Sequence, residues 1–170
     1  MSASPIVLAL ILICGGLPSC APPLAPERSA PAKNLILISI DTLRADHLGC
    51  YGYARETSPR LDARARSGAL FLNCTSSSSW TVPAHLSMFT GMDPATHGCA
   101  DFPQPGRMSD RFDTLASILG GVGFSTAAFT GGGLAGSLHG LDIGFDSYET
   151  FGSRFEDNLK AAESWIADAG

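Results

Sequence analysis

Residues 76–91 read SSSSWTVPAHLSMFTG, a run of small hydroxyl residues that leads through a tryptophan and a threonine into a short apolar segment. The spacing predicts a helix that ends at Gly91. Thr81 or Val82 can cap it, Pro83 suits a first turn whose N–H groups have no partner, and Gly91 supplies a left-handed stop. Thr81 then stands at the positive end of a helix, where backbone N–H groups and the dipole favour an anion. Two roles follow from that place. A threonine there is by default a helix cap, and its hydroxyl is also placed to attack a phosphate or sulfate ester.

Upstream, residues 34–40, NLILISI, form a nearly unbroken apolar and β-branched run that predicts a strand buried on both faces, as in a parallel sheet. The run ends at Asp41. Open α/β sheets bind ligands at the carboxyl ends of their strands, so Asp41 is a candidate metal ligand or base; a loop-capping carboxylate is the plainer alternative. Ser58-Pro59 opens a predicted helix through Arg66, stopped by Gly68, and residues 69–74 make a second strand candidate. Residues 98–113 read as loop, Thr114 caps a helix through Gly120, and residues 124–129 form a third strand candidate. Residues 130–140 are glycine-rich and 142–149 read as a short loop. Residues 154–169 carry apolar side chains at helical spacing, among them Phe155, Leu159, Ala162, Trp165 and Ile166, which predicts an amphipathic helix over the sheet. The order strand, helix, strand, helix, strand points to a layered α/β domain.

Length and charge narrow the function classes. With 170 residues, 45% of them hydrophobic, one domain with a real core is expected. A formal charge of -5, with no basic cluster denser than Arg55 to Arg66, argues against nucleic acid as the main partner. Residues 1–20 read as a bacterial export signal, with an apolar run at 6–14 and a Leu-Pro-Ser-Cys ending that resembles a lipoprotein box around Cys20. Residues 21–33 are rich in Pro and Ala, as a tether would be, and 34–170 form the domain. The expected location is the periplasm, or the bacterial envelope through a lipid on Cys20. Beyond the leader stand Cys50, Cys74 and Cys99, without CxxC spacing, so neither a zinc site nor a disulfide framework is indicated, and the choice of any one pair stays open.

Gly131, Gly133 and Gly136 form a GxGxxG after a predicted strand, the signal for a rival reading as a nucleotide-binding domain. It is weak, because SLHGLD after it is too short and glycine-broken for a phosphate-holding helix. Of His47, His85, His97 and His139, His85 stands out: it lies four residues after Thr81, about one helical turn away, where it can donate to an oxyanion held at the same helix end. His97, near the helix exit, is a weaker candidate.

Three segments carry a family resemblance: NLILISIDTLRADHLGCYGYARETSPRLDARARSG at 34–68, WTVPAHLSMFTGMDPATHG at 80–98 and GFDSYE at 144–149. Together and in this order they resemble the N-terminal part of the sulfatase family within the alkaline phosphatase superfamily. The resemblance implies a three-layer α/β/α fold with a central, largely parallel sheet, incomplete at the C-terminus. It implies metal-dependent hydrolysis or transfer of sulfate or phosphate esters of small molecules, glycans or lipids.

By the same resemblance Asp41 matches the first metal-binding aspartate, and Thr42 stands where many members have a second. Thr81 matches the nucleophile of the Cys/Ser-x-Pro-x-Arg signature, and His85 takes the place of its arginine. Metal-site positions are thus Asp41, Thr42 and Thr81, for a divalent ion (Ca, Mg, Mn or Zn), and catalytic positions are Thr81 and His85. Threonine does not yield the formylglycine made from cysteine or serine, so no formylglycine is expected; members with threonine there resemble phosphodiesterases and phosphoethanolamine transferases. The family's remaining ligands belong to a later Asp-His-Gly type segment that these 170 residues do not contain, so the chain is expected to be a fragment, inactive alone. Alternatives are a non-catalytic remnant or anion-binding module, and the nucleotide-binding domain.

Overall fold

A computed structural model describes residues 34–101, 104–152 and 154–168. The chain divides into two units, residues 1–39 and 40–170. In the first, the described residues 34–39 are exposed and without regular structure. The expected export signal at 1–20 and linker at 21–33 lie outside the described residues.

Among its described residues the second unit holds five α-helices, a two-stranded sheet and several single 3-10 turns: α1 (Pro59–Arg66), α2 (Thr81–Thr90), α3 (Pro94–His97), α4 (Leu115–Gly121), β1 (Ala127–Thr130), β2 (Ser147–Thr150) and α5 (Phe155–Asp168). The core forms around α2. Its residues Val82, Pro83, Leu86 and Ser87 are buried, which places them on one stripe at helical spacing. Val82 and Leu86 pack with Cys99, Met108 and Leu141, and Trp80, Phe89, Phe112, Ile143 and Tyr148 close around them. Phe145 sets its ring edge-on to both Phe89 and Tyr148, with centroids 5.8 and 5.6 Å apart.

Helix α2 starts one residue earlier than a Thr81 cap would put it and two earlier than a Val82 cap would. Trp80, in an extended conformation, is the N-cap, Thr81 is already the first helical residue, and Pro83 sits third, where a missing N–H costs nothing. Gly91 ends the helix at φ 69°, its N–H bonded to the Ser87 carbonyl. The capping reading of Thr81 is therefore replaced by another: its hydroxyl points away from the helix N–H groups, to Asp41.

The other helices follow their sequence signals. Thr114 caps α4 in a reciprocal box with Ser117, and its hydroxyl also donates to the Ile143 carbonyl at 2.7 Å. Asp93 caps α3, a turn not anticipated from sequence, by accepting from the Ala95 and Thr96 N–H groups. Helix α5 runs as expected, and Trp165 meets Phe129 of β1 edge-on. The face it turns inward is rotated from the expected one, since Phe155, Leu159 and Ile166 are exposed.

The strands depart most from expectation. Residues 34–40 and 69–74 are not strands, and Ile36, Ile38, Phe71 and Leu72 are at least 70% exposed. Apolar β-branched composition reports a preference for burial, but a strand exists only where neighbours complete its ladder. Among the described residues that happens once: β1 pairs in parallel with β2, with Ala127 opposite Ser147 and Thr130 opposite Thr150. The third strand candidate, 124–129, is thus shifted to Ala127–Thr130, and the loop expected over 142–149 gives up its last residues to β2. An α/β arrangement with a small parallel sheet is what the described residues show; the three layers of the resemblance extend beyond it.

Two buried threonines join these elements. Thr126 donates its hydroxyl to the Gly144 carbonyl and the Asp146 carboxylate, and the Asp146 carboxylate accepts the Thr126 N–H at 2.8 Å. Between Thr114 and Thr126 lies Gly144, at φ 88°, where a Cβ would strike the Ser117 backbone. Leu86→Ala should therefore destabilise the fold by about 2–5 kcal/mol, as a cavity opens in a fully buried site, measurable by urea unfolding against the parent.

Candidate active site

Asp41 and Thr81, forty residues apart, meet in the structure: the Thr81 hydroxyl donates to Asp41 Oδ2 at 2.9 Å. Asp41 Oδ1 accepts the N–H of Thr42 at 3.0 Å. Both carboxylate oxygens are thereby engaged, one by a backbone donor and one by the hydroxyl at the first residue of α2. Thr42 holds φ 57°, in the left-handed region where a β-branched residue is a real outlier and costs about 1–3 kcal/mol.

His85 bonds through Nδ1 to the Thr81 carbonyl at 2.8 Å. A carbonyl only accepts, so Nδ1 carries the proton. In the neutral ring Nε2 is then an acceptor, and it becomes a donor to an anion only in the imidazolium form. The oxyanion role expected for His85 thus belongs to its protonated state. The Asp41 carboxylate and the Thr81 hydroxyl are suited to a different exchange, in which the hydroxyl passes its proton to the carboxylate as its oxygen attacks.

The metal positions fare differently. Two adjacent oxygens, from Asp41 and Thr81, fall short of the six or more that a hard divalent cation takes. No group of three or more His, Cys, Asp or Glu side chains suited to a metal occurs among the described residues. These residues do not form a complete metal site by themselves.

The remaining histidines have structural partners. His47 bonds Asp46 and stacks on Tyr53, with centroids 4.9 Å apart, and His139 donates to the Gly106 carbonyl at 2.7 Å. His97 is buried. Its Nδ1 accepts the Cys99 N–H at 3.3 Å, so Nε2 carries the proton and donates to Ser87 on α2 at 3.2 Å. That tautomer cannot take a proton from Ser87, and the pair locks α3 onto α2.

The segment leading to the site is held by a clasp that the sequence did not announce as one. Ser58 donates to the Asp62 carboxylate and accepts the Gly49 N–H, while the same carboxylate accepts the Cys50 N–H at 2.8 Å. Burial acts to raise the Asp62 carboxyl, yet these bonds and the charge of Arg66 outweigh it and hold it below the usual carboxylate range. Gly49 is required here, because a Cβ would run into that carboxylate. Cys50, Cys74 and Cys99 are all free thiols. Two clefts flank α1, of about 420 and 540 Å³, and neither is lined by Asp41, Thr81 or His85.

The glycine-rich loop carries only isolated 3-10 turns at Gly133–Ala135 and Ser137–His139. No helix starts there to hold a phosphate. Gly132, at φ 77°, lies against the Thr150 side chain, and the Tyr148 hydroxyl donates to the Ala135 carbonyl at 2.7 Å, so the loop is bound to β2. Burial pushes the Tyr148 hydroxyl up to about 12.

The sulfatase family model matches residues 33–158, three-quarters of the chain, including the Asp41–Thr81 pair. The chain belongs to the sulfatase family. This sulfatase-family chain is 34% identical to iduronate 2-sulfatase of Mus musculus over 96 residues, which cover 56% of it and 17% of that relative. It is 29% identical to arylsulfatase A of Homo sapiens over 141 residues, 79% of it and 24% of the relative. N-acetylgalactosamine-6-O-sulfatase of Bacteroides thetaiotaomicron is 29% identical over 138 residues, 79% and 25%. The chain spans a quarter or less of the length of these curated relatives.

His97 gives this sulfatase-family chain a calculable pH response. Burial lowers its pKa below the ordinary imidazole value of 6.5, with the Pro83 backbone and then the charge of Asp93 opposing. Above pH 6.5 the ring is neutral folded and unfolded, and its stabilisation is complete. As pH falls from 6.5 toward the depressed folded value, the unfolded chain takes up the proton more readily and stability is lost. Denaturant midpoints measured from pH 8 to 5 should fall below pH 6.5, and His97→Gln should flatten that fall.

Proposed function

We propose that the protein is a hydrolase of sulfate esters, with phosphate esters as the second substrate class, in which Thr81 is the nucleophile and Asp41 its base. The observation that carries the reading is the 2.9 Å bond from the Thr81 hydroxyl to Asp41 Oδ2, within the family match. Thr81 Oγ attacks the sulfur or phosphorus in line, its proton passes to Asp41, and the bond to the leaving oxygen breaks on the opposite side, where that oxygen takes a proton from water. Water then cleaves the threonyl ester, which restores the Thr81 hydroxyl and releases the inorganic anion. His85 in its imidazolium form would add a charge-assisted donor to the transferred group.

Further parts of the reading concern the cofactor, substrate and location. A divalent ion (Ca, Mg, Mn or Zn) is the proposed cofactor; when bound it would supply positive charge beside the anionic ester, held by Asp41 and Thr81 together with oxygen ligands beyond those described. Thr42 gives such a site its backbone rather than a family aspartate. The names of the relatives, sulfatases of iduronate and of N-acetylgalactosamine and an arylsulfatase, support a sulfate ester without choosing its alcohol. Formylglycine is not part of this chemistry, since Thr81 keeps its hydroxyl. The leader supports export to the envelope. No helix among the described residues is long and apolar enough to cross a membrane, and the Leu-Pro-Ser-Cys ending of the leader supports attachment through a lipid on Cys20.

Turnover of nitrophenyl sulfate and nitrophenyl phosphate tests the reaction. Thr81→Ala should lower kcat/KM at least about 1,000-fold, on the scale of losing a covalent nucleophile, while Thr81→Ser keeps a measurable part. Full activity in Thr81→Ala of a complete enzyme removes the reading; the 170 residues by themselves should turn over neither ester, and anion binding without turnover by the complete enzyme points to an anion-binding module instead. Chelation should abolish activity, and a single added divalent ion should restore it. Intact mass of the exported chain should show a lipid on Cys20; an unmodified Cys20 removes the anchor.

A further inference from the structure

The arginines among the described residues divide into two groups. Arg44, Arg107 and Arg154 are ion-paired, and Arg111 lies over the Phe112 ring at 4.6 Å. Arg55, Arg60, Arg64 and Arg66 are exposed, and among the described residues their guanidinium groups make neither an ion pair nor a hydrogen bond. The unpaired group thus falls entirely between positions 55 and 66, in a chain whose formal charge is -5. A guanidinium is always charged and presents a planar fork of donors that matches a sulfate, phosphate or carboxylate group. Two such forks on one concave surface make a place for an anion.

Arg55 and Arg66 share the cleft of about 420 Å³, one from the loop after the Gly49–Tyr51 turn and the other from the last turn of α1. Tyr53, Ala65 and Leu70 line the same cleft with carbon, and its volume is that of a small-molecule site, more than a bare inorganic anion fills. Its walls are tied before anything binds: the Tyr53 N–H donates to the Leu48 carbonyl at 3.2 Å, and the Tyr51 hydroxyl to the Phe71 carbonyl at 3.0 Å. Walls already ordered leave less entropy to be lost on binding. Of the carboxylates on the lining, Asp62 turns Oδ1 to the Cys50 N–H and the Ser58 hydroxyl, and Glu56 has no ion pair and opposes an anion. Desolvation and then the Asp62 carboxylate push the Cys50 thiol up, so it lines the cleft as a neutral group. Arg60 and Arg64, one turn apart on α1, lie outside this cleft. A flat anionic surface would meet them as readily as the other two, whereas the concave pair favours a discrete molecule.

We propose that this cleft is a second binding site, which takes an organic sulfate or phosphate monoester, with Arg55 and Arg66 on the charged head and Tyr53, Ala65 and Leu70 along the uncharged body. The site stands apart from the hydrolase reading, since Asp41, Thr81 and His85 do not line it and no group in it is asked to react. The test is a titration of the full 170-residue chain, followed by amide NMR, with nitrophenyl sulfate, nitrophenyl phosphate, inorganic sulfate, inorganic phosphate and nitrophenol. The amides of Gly49, Cys50 and Tyr53 should move. Each nitrophenyl ester should bind at least about tenfold more tightly than its inorganic anion or nitrophenol, because it alone fills both sides of the cleft. Comparison of the two esters shows which head the arginines prefer.

Arg55→Gln and Arg66→Gln should each weaken ester binding about tenfold, the scale of one charge-assisted contact, and Arg66→Lys, which keeps the charge and loses the fork, should fall between. Glu56→Gln removes the opposing charge and should tighten binding about twofold, while Arg64→Gln should stay within about twofold of the parent. Amide dispersion shows that each variant folds, and if Arg66→Gln does not, Arg66→Lys carries the test. A double variant, Arg55→Gln with Arg66→Gln, that binds like the parent overturns the proposal. So does an Arg64→Gln loss equal to that of Arg66→Gln, which makes the effect one of general surface charge. Nitrophenol binding as tightly as its esters reduces the site to an apolar cleft and overturns it, and so do shifts confined to Thr81 and His85, which put the ester at α2. Finally, co-sedimentation with vesicles of phosphatidylglycerol and phosphatidylcholine, weakened equally by all four arginine-to-glutamine changes and without ester binding, makes the segment a membrane contact instead.

Discussion

The burial of one stripe of α2 is the constraint on which the other arrangements depend. Val82 and Leu86 are fully buried, and the residues that bury them come from widely separated parts of the chain: Cys99 after α3, Met108 in the long loop, and Leu141 before β2. Each such side chain removed from water contributes about 1.5–3 kcal/mol. Because the stripe fixes the rotation of the helix, it also fixes the direction of every other side chain on it. Thr81, one residue before Val82, is turned out of the core and toward Asp41 by the same packing that turns Val82 in. The site is a by-product of the core in this sense: its direction is set by hydrophobic burial, and only its final geometry by polar bonds.

Polar groups drawn in with that core are satisfied locally and in pairs. His97 sits under α2 with both ring nitrogens engaged, Thr114 bridges α4 to Ile143, and Thr126 bridges the starts of the two strands through Asp146. Arg107 does similar service near the surface, donating to the Ser137 carbonyl and to Asp142 at 3.0 Å. Unpaired, each buried group would cost about 1–3 kcal/mol; paired, each ties two segments that are distant in sequence. The loops between helices are long in this protein, and these bonds give them defined paths.

Helix signals were legible in the sequence because they are local. Pro59, Pro83, Thr114, Gly91 and the apolar spacing of α2 and α5 each act within a turn or two, and α1, α2, α4 and α5 lie close to where those residues put them. Strand signals were not, since residues 34–40 and 69–74 have the right composition and no ladder, while β2, with Ser147 and Glu149 in it, has a ladder and a modest composition. At the site, motif order placed Asp41 and Thr81, and the structure brings them within hydrogen-bond distance. The left-handed Thr42 had no signal, because threonine is among the residues least expected at positive φ. Nor did the proton on His85 Nδ1, which depends on a carbonyl one turn away and not on any residue type.

The clasp around Asp62 has a consequence for how the sequence can change. Its carboxylate fills the space that a side chain on Gly49 would need, and it serves the Ser58 hydroxyl and the Cys50 N–H at once. Neither position can drift alone: a larger residue at 49 displaces the acceptor, and a shorter one at 62 orphans the donors that Gly49 brings near. Substitution here must proceed as a concerted exchange through an unfavourable intermediate. Gly49 and Asp62, thirteen positions apart and each unremarkable by itself, are in evolutionary terms a single two-letter character.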